Sequence, residues 1–420
     1  MADAFIIDAV RTPRSIGKMG KGALSTMHPE HLAATVLVAL KDRNNLETAD
    51  VDDVIWGVSG QMGLQAGDIG RMAALDAGYD TKASGVTLNR FCGSGLTATS
   101  LAAGQIMSGM EDLVIAGGSE MLSYVTYYGG KLREAGLGSP GMGVGNPRLQ
   151  AKHPQTNQGV AADAIAAMEG IGRAELEAFG VESQRRAAIA LKEGRFDKST
   201  IAVTDDDGNV ILDHEEYPRP DTTAEGLAQL KPAFEMFYTM PSQPGGPTYV
   251  ELVNQVYPDV EIKPLHHVGI SSGVVDGAAA VLLASGEYAK KHGLKPRARI
   301  VAMANVGDSP TLMLNAPVPA AKKVLAKAGL TKDDIDVWEV NEAFAIVVEK
   351  FIRDLDIDRA KININGGAIA LGHPIAATGA ILIGTALDEL ERTGGRYGLI
   401  TMCAAGGMAP AMIIERVSDI

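Results

Sequence analysis

Apolar and polar positions along this chain follow two rhythms, and the rhythms alternate. Ala4–Val10 (AFIIDAV) is a short apolar run closed at Pro13, as a buried strand would be. Pro29–Leu40 (PEHLAATVLVAL) repeats its apolar positions at helical spacing, with proline at the start. Val54–Val58 reads as a strand, Arg71–Ala77 as a helix, and Val86–Arg90 as a β-rich run. Gly95–Gly109 is a helix of small residues suited to the centre of a fold, and Leu113–Ala116 is a strand ended by Gly117 and Gly118. This β/α alternation predicts a layered α/β domain.

From Leu122 to His267 the pattern changes. Gly129–Gly145 is glycine-rich around Pro140, helices follow at Val160–Glu169 and Arg173–Lys192, and Ile211–Phe234 and Met236–Lys263 are polar or punctuated by proline. A long irregular stretch in a compact protein is usually functional or disordered, and this one reads as an insertion over the active face. Ser271–Ser285 returns to the small-residue core style, and after Pro296 the first plan restarts. It runs through a strand at Ala298–Ala304, a helix at Pro319–Gly329, a strand at Ile335–Val340 leading into Asn341–Ala345 (NEAFA) and its helix, and a strand at Lys361–Ile364. A glycine-rich turn with His373, a helix at Ala377–Arg392, a strand at Gly398–Met402 and a turn at Cys403 complete it. The second half repeats the first, and a duplication at this scale means two related domains.

The 420 residues are 46% hydrophobic but only 5% aromatic, with 49 glycines, so the core must be built of Ala, Val, Leu and Ile with close backbone approaches. A net charge of −13 argues against nucleic-acid binding, and an anionic ligand would need a local basic patch or helix N-termini. No apolar run reaches the length of a transmembrane helix, no targeting segment opens the chain, and Ser418-Asp419-Ile420 is not a peroxisomal signal. The expectation is a cytoplasmic protein.

Chemistry concentrates at four places. Cys92 (RFCGSG) sits between a strand and a helix start, where positive backbone ends would lower a thiol pKa; the plain alternative is a small buried hydrophobe. His373 lies between Gly372 and Pro374, a fixed backbone that aims its imidazole at one point as an acceptor of a thiol proton, unless a backbone carbonyl simply satisfies it. Cys403 ends a strand before Ala404-Ala405-Gly406-Gly407, where α/β sheets form sites, though a core cysteine would look the same. Asn341 follows a strand and either caps a helix or presents its amide to a ligand or water. Two cysteines one to each half could form one long-range disulfide, or with His373 hold zinc, but no CxxC spacing or fourth ligand supports a metal site. The glycine pairs lack dinucleotide and P-loop spacing, and Asp205-Asp206-Asp207-Gly208 reads as a solvated hairpin turn rather than a calcium loop.

NRFCGSGL, SSGVVDGAAAV, NEAFA, NGGAIALGHPIAATGA and CAAGGMAPAMIIERV together resemble the site segments of the thiolases, in that family's order along essentially the whole chain. The resemblance implies an α/β thiolase fold: two similar βαβαβαββ halves in α-β-α-β-α layers with an inserted loop domain. Residues 1–121 and 268–290 would form the N-terminal half, 122–267 the loop domain over the active site, and 291–420 the C-terminal half. It implies thiolysis of 3-ketoacyl-CoA, with coenzyme A as substrate and no permanently bound cofactor. Cys92 would carry the acyl group, His373 would accept its proton, and Cys403 would move the proton at the α-carbon. Asn341 would hold a water at the enolate oxygen, the N–H groups of Cys92 and Ala405 would form an oxyanion hole, and Ser272 would contact the pantetheine arm.

Departures from the family pattern refine this. Alanine stands at 405 where many thiolases have glycine, Ile270 stands where many have Asn, no Met-His pair is evident near His153–Gly159, and Met236–Lys263 is long. These favour a degradative enzyme with a roomy pocket over a biosynthetic acetoacetyl-CoA thiolase. Cys403 argues against a ketoacyl-synthase relative, and the full residue set argues against a non-catalytic lipid-binding subunit. A homodimer or homotetramer is expected, with Val86–Arg90 as the pairing edge and Met236–Lys263 as the contact for a hydratase–dehydrogenase partner.

Overall fold

The computed structural model describes residues 2–136 and 146–417. The glycine-rich stretch at 137–145 with Pro140, and the C-terminal 418–420, lie outside them.

The duplication is visible in the order of strands. The first set is β1 (Ala4–Arg11), β2 (Asp53–Gly57), β3 (Val86–Leu88), β4 (Leu113–Met121) and β5 (Val275–Ser285). The second is β6 (Ala298–Gly307), β7 (Val337–Val340), β8 (Tyr397–Thr401) and β9 (Met408–Arg416). Side by side the strands run β7-β8-β9-β6-β1-β5-β4-β2-β3. Outward from the seam, each half goes through two antiparallel pairings and then parallel ones. The second half ends in a single parallel bridge, Trp338 to Ile362, where the first has β3. The expected strand at Lys361–Ile364 is therefore reduced to one bridge. Asn363 there takes a left-handed φ of +47° and spends its side chain on the backbone of Val340. The halves are stitched by β1 against β6 at two residue pairs, Phe5 with Arg299 and Ile6 with Ala298.

Three helix layers enclose the strands. α1 (Pro29–Asn44) and α2 (Ile69–Asp76) cover the outer face of the first half. α3 (Ser94–Ser108) lies in the middle layer. The segment between β4 and β5 carries α4 (Leu122–Glu134), α5 (Gln158–Glu169) and α6 (Arg173–Lys192). α7 (Pro317–Ala328) and α8 (Ala345–Leu355) cover the outer face of the second half, and α9 (Thr378–Thr393) joins α3 in the middle. The period-2 pattern of the strands meets this layering residue by residue. Val114 and Ala116 of β4 face the middle layer while Leu113 and Ile115 face the outer core. In β9, Met412 and Ile414 face the middle and Ala411 and Ile413 face outward. Both faces are buried, so the runs read as continuously apolar.

Gly117 and Gly118 do not end β4, which continues to Met121. They are glycine because neighbours press on the strand. A Cβ on Gly117 would stand 2.2 Å from the Ala279 oxygen, and one on Gly118 would stand 2.2 Å from the Ala376 oxygen. The middle helices meet in the same way: a Cβ on Gly95 would lie 2.7 Å from the Ala376 oxygen, and one on Gly379 would lie 2.1 Å from the Leu96 nitrogen. Small residues at this crossing bring the N-termini of α3 and α9 together. The acidic cluster is the hairpin turn expected, with Asp205 accepting from the Asp207 and Asn209 nitrogens. Met236–Lys263 is packed rather than loose: Phe237, Tyr249 and Tyr257 rest on a separate core with α5, and Tyr257 bonds Ser309 at 2.9 Å.

Candidate active site

The turn before α3 is braced by its own polar atoms. The Asn89 carboxamide oxygen accepts from the Phe91 nitrogen at 2.7 Å, and Ser94 Oγ accepts from the Arg90 nitrogen and donates to the Phe91 oxygen. Phe91 is thereby held at φ +50°, a strained region for an aromatic residue, and Cys92 after it packs in the core of the middle layer. Gly93 caps α3, and a side chain there would strike the Pro410 ring of β9 at 2.9 Å. The second half thus presses on the Cys92 turn.

His373 is fixed at both ends. Gly372 takes φ +96°, and the His373 nitrogen donates to the Gly273 oxygen at 2.9 Å. Its ring Nδ1 lies 2.6 Å from Thr378 Oγ1, and its Nε2 lies 3.5 Å from Asn341 Nδ2. Thr378 Oγ1 also reaches the Pro374 oxygen at 3.3 Å. With the hydroxyl hydrogen donated there, Nδ1–H donates to Thr378 and Nε2 keeps its lone pair. Burial lowers the imidazole pKa to about 3, assisted by the nearby Arg14 guanidinium, so the ring is neutral.

Cys403 follows β8 in a tight turn closed by the Ala404–Met408 bridge. The positive φ values of this turn fall on Gly406 (+80°) and Gly407 (+78°) and none on Ala405, so alanine there costs no strain. Cys92 and Cys403 are both free and buried, which removes the disulfide reading. Among the described residues no cluster of ligands could hold a metal ion.

Cys92, His373, Cys403 and Ala405 line one cavity of about 660 Å³, together with Ser272 and Phe344. A second cavity of about 610 Å³ shares Ser272, Phe344 and Gln158 with the first and leads toward the surface. The Ser271–Gly273 loop is pinned in this passage, with Ser272 and Gly273 nitrogens donating to Ala343 and Ala368. Such a passage suits an extended ligand whose reactive end meets the thiols.

Two expectations change. Cys92 stands beside a helix N-terminus as expected, yet its pKa is not lowered: burial, then the Glu120 carboxylate, pushes it up to about 12. Desolvation of a thiolate outweighs one helix end. Cys403 is raised as well, by burial and then by Cys92. Asn341 is not a helix cap, since α8 is capped by Phe344. It is 1% exposed and stands behind the imidazole rather than in the wall of the large cavity. Sequence reasoning missed Thr378, Glu120 and Arg14. Glu120 is buried and accepts from the Ser59, Gly60 and Ala376 nitrogens and from Gln65, so it ties the loop after β2 and the His373 turn to β4. Glu342 does similar work, accepting from Ser183 of α6, Ile369 and Asn363. Only Thr378, five residues after His373 at a helix start, carried a local signal.

Known proteins resemble this chain along its whole length. The family model described as "Thiolase, N-terminal domain" matches residues 4–240, and "Thiolase, C-terminal domain" matches residues 294–416. The chain is 40% identical to the beta-ketoadipyl-CoA thiolase of Acinetobacter baylyi, over 99% of this chain and 100% of the relative. It is 40% identical to the steroid 3-ketoacyl-CoA thiolase FadA6 of Mycobacterium tuberculosis, over 99% and 95%. The 3-oxoadipyl-CoA/3-oxo-5,6-dehydrosuberyl-CoA thiolase of Escherichia coli is also 40% identical, over 99% and 100%.

Proposed function

The chain belongs to the thiolase family and is an acyltransferase, and on that premise we propose that it cleaves 3-ketoacyl-CoA with coenzyme A in acyl-CoA degradation. The observation that carries this reading is the pair of free thiols facing one cavity with a neutral imidazole. Cys92 is a soft nucleophile for the 3-keto carbon. His373 Nε2 takes the thiol proton as the C–S bond forms, which a ring kept neutral by burial can do at any physiological pH. The C2–C3 bond then breaks, and its electron pair leaves as the acetyl-CoA enolate. Cys403 gives its proton to C2. His373 hands its proton to the Cys403 thiolate, takes the coenzyme A thiol proton as that sulfur attacks the acyl-Cys92 thioester, and returns it to the departing Cys92 thiolate, an exchange between thiols at little thermodynamic cost. The Cys92 and Ala405 N–H groups hold the oxyanion of acyl transfer, and the Nε2–H that His373 carries after taking the thiol proton serves the enolate oxygen, with Asn341 behind the ring. Ser272, shared by the two cavities, meets the pantetheine arm.

The same reading divides the chain into an N-terminal half (1–121 and 268–290), a loop domain (122–267) and a C-terminal half (291–420). An inner cavity of about 660 Å³ supports acyl groups larger than acetoacetyl. The names of the relatives, which refer to adipyl and steroid substrates, point the same way. The test is thiolysis of acetoacetyl-CoA, 3-oxoadipyl-CoA and a long-chain 3-ketoacyl-CoA by wild type and Cys92→Ala. Turnover is expected to favour the larger substrates and to fall by about 10³-fold or more in the variant. A folded wild type that turns over none of them would refute the reading, and preference for acetoacetyl-CoA would move it to the biosynthetic direction.

A further inference from the structure

Behind the imidazole lies a third, small cavity of about 10 Å³, room for one water. Its walls include Arg14, Glu339, Asn341, Thr378 and Thr385. Glu339 is the unexpected member. On β7, Trp338 and Val340 face the outer core while Val337 faces the middle layer, so alternation sends Glu339 inward, where it is 1% exposed. Two buried oxygens of this cavity's residues have no hydrogen-bond partner, Glu339 Oε1 and Asn341 Oδ1, whereas Arg14 Nε is ion-paired with Glu215 at 3.5 Å. Buried polar atoms are nearly always paired, and here two unpaired acceptors belong to one water-sized space. A single water that donates one hydrogen to each oxygen satisfies both.

We propose that Glu339 is a positioning residue which, through one water in this cavity, fixes the amide of Asn341 and thereby the tautomer of His373. With Oδ1 held toward the cavity, Asn341 must turn its Nδ2 toward His373 Nε2, the orientation observed at 3.5 Å. An N–H facing Nε2 requires a lone pair there, and the ring hydrogen goes to Nδ1 against Thr378 Oγ1. A reversed amide would put an oxygen on Nε2, draw the hydrogen to it and remove the base. Glu339 does this by accepting at Oε1, as a carboxamide oxygen also would. Burial first, then Glu342 and Glu389, push its pKa well above the carboxylate range, while Arg14 and Arg186 oppose. A glutamine can therefore replace it and a leucine cannot.

The proposal rests on His373 being the base, and its test has a readout independent of turnover. Full-length protein labelled with 15N-histidine, with His373 assigned through His373→Asn, reports the tautomer. Wild type and Glu339→Gln are expected to show Nδ1–H and kcat values within about threefold of each other. Glu339→Leu is expected to show a mixture with Nε2–H, with kcat lower by about tenfold or more and an unchanged KM for coenzyme A. Should Glu339→Leu not fold, Glu339→Asp, which withdraws the carboxyl by one methylene, is expected to do the same. A pure Nδ1–H tautomer in the Leu or Asp variant overturns the proposal, as does a changed tautomer with wild-type kcat, or a loss in Glu339→Gln as large as in Glu339→Leu. A tautomer shift in a protein whose wild type shows no thiolysis would overturn the proposed function and leave the Glu339 assignment standing.

Discussion

His373 and Cys92 are held uncharged by burial, from opposite sides of neutrality, and this sets how the protein answers to pH. The imidazole is lowered to about 3, against about 6.5 in an unfolded chain. Between those values the unfolded chain binds a proton that the folded one refuses. The stability His373 contributes is therefore present above pH about 6.5 and lost as pH falls through that value toward 3. Denaturant titrations across that window are expected to show a shallower acid decline for His373→Asn than for wild type. Cys92 behaves oppositely: its thiol is raised from 9.0 to about 12, so its contribution is present below pH about 9 and lost as pH rises beyond it. Alkylation of substrate-free protein by iodoacetamide is expected to be slow at neutral pH and to climb with pH, with no plateau near the usual thiol value. A plateau near pH 7 would mean that a thiolate is formed at rest and that burial does not govern Cys92.

At the scale of elements, two glycines of the middle layer make a sharp contrast. Gly104 lies inside α3 with nothing within 4 Å of a built Cβ, whereas a Cβ on Gly379 of α9 meets the Leu96 nitrogen at 2.1 Å. Gly104→Ala is expected to stabilise the protein by roughly 0.5–1 kcal/mol through helix propensity. Gly379→Ala is expected to destabilise it by about 3 kcal/mol and to abolish thiolysis, because the helix that must move carries the His373 turn. Chemical denaturation and the thiolysis assay read both. The two also show what a sequence discloses. Periodicity located most of the helices and strands, because each pattern is local, but it did not mark β5, β9 or α4 as elements and drew a strand at Lys361–Ile364 where one bridge stands. Glycines misled where they served distant neighbours: Gly117 and Gly118 looked like a strand's end and are its most crowded point. Asn341 read equally as a cap or as an amide for a ligand or water, and the ring it approaches, His373, is thirty-two positions away. Cys92, His373 and Cys403, which line one cavity, were each marked by glycine-rich turns. Glu120, Arg14 and Glu339 were not, since a charged residue in a strand shows no local sign of what it will face.

Over the whole molecule, each half supplies one face of the middle layer and neither can cover that face alone. The shared apolar core joins residues of β4 and β5 to those of β8 and β9. β3 ends the sheet, and Val86 on it is 44% exposed. We expect a second copy to pair along that edge, and Val86→Pro is expected to shift sedimentation toward the monomer. The crossing of Gly95 with Gly379 has a further consequence, in the order of events in time. Cys92 and His373 approach only when α3 and α9 have docked, although each half can form its helices and parallel strand pairs earlier. During refolding from denaturant, helical circular dichroism should therefore return first and acyl transfer last. The interval between the two signals would measure the docking of one half on the other, so the enzyme's own turnover serves as a clock for its final assembly step.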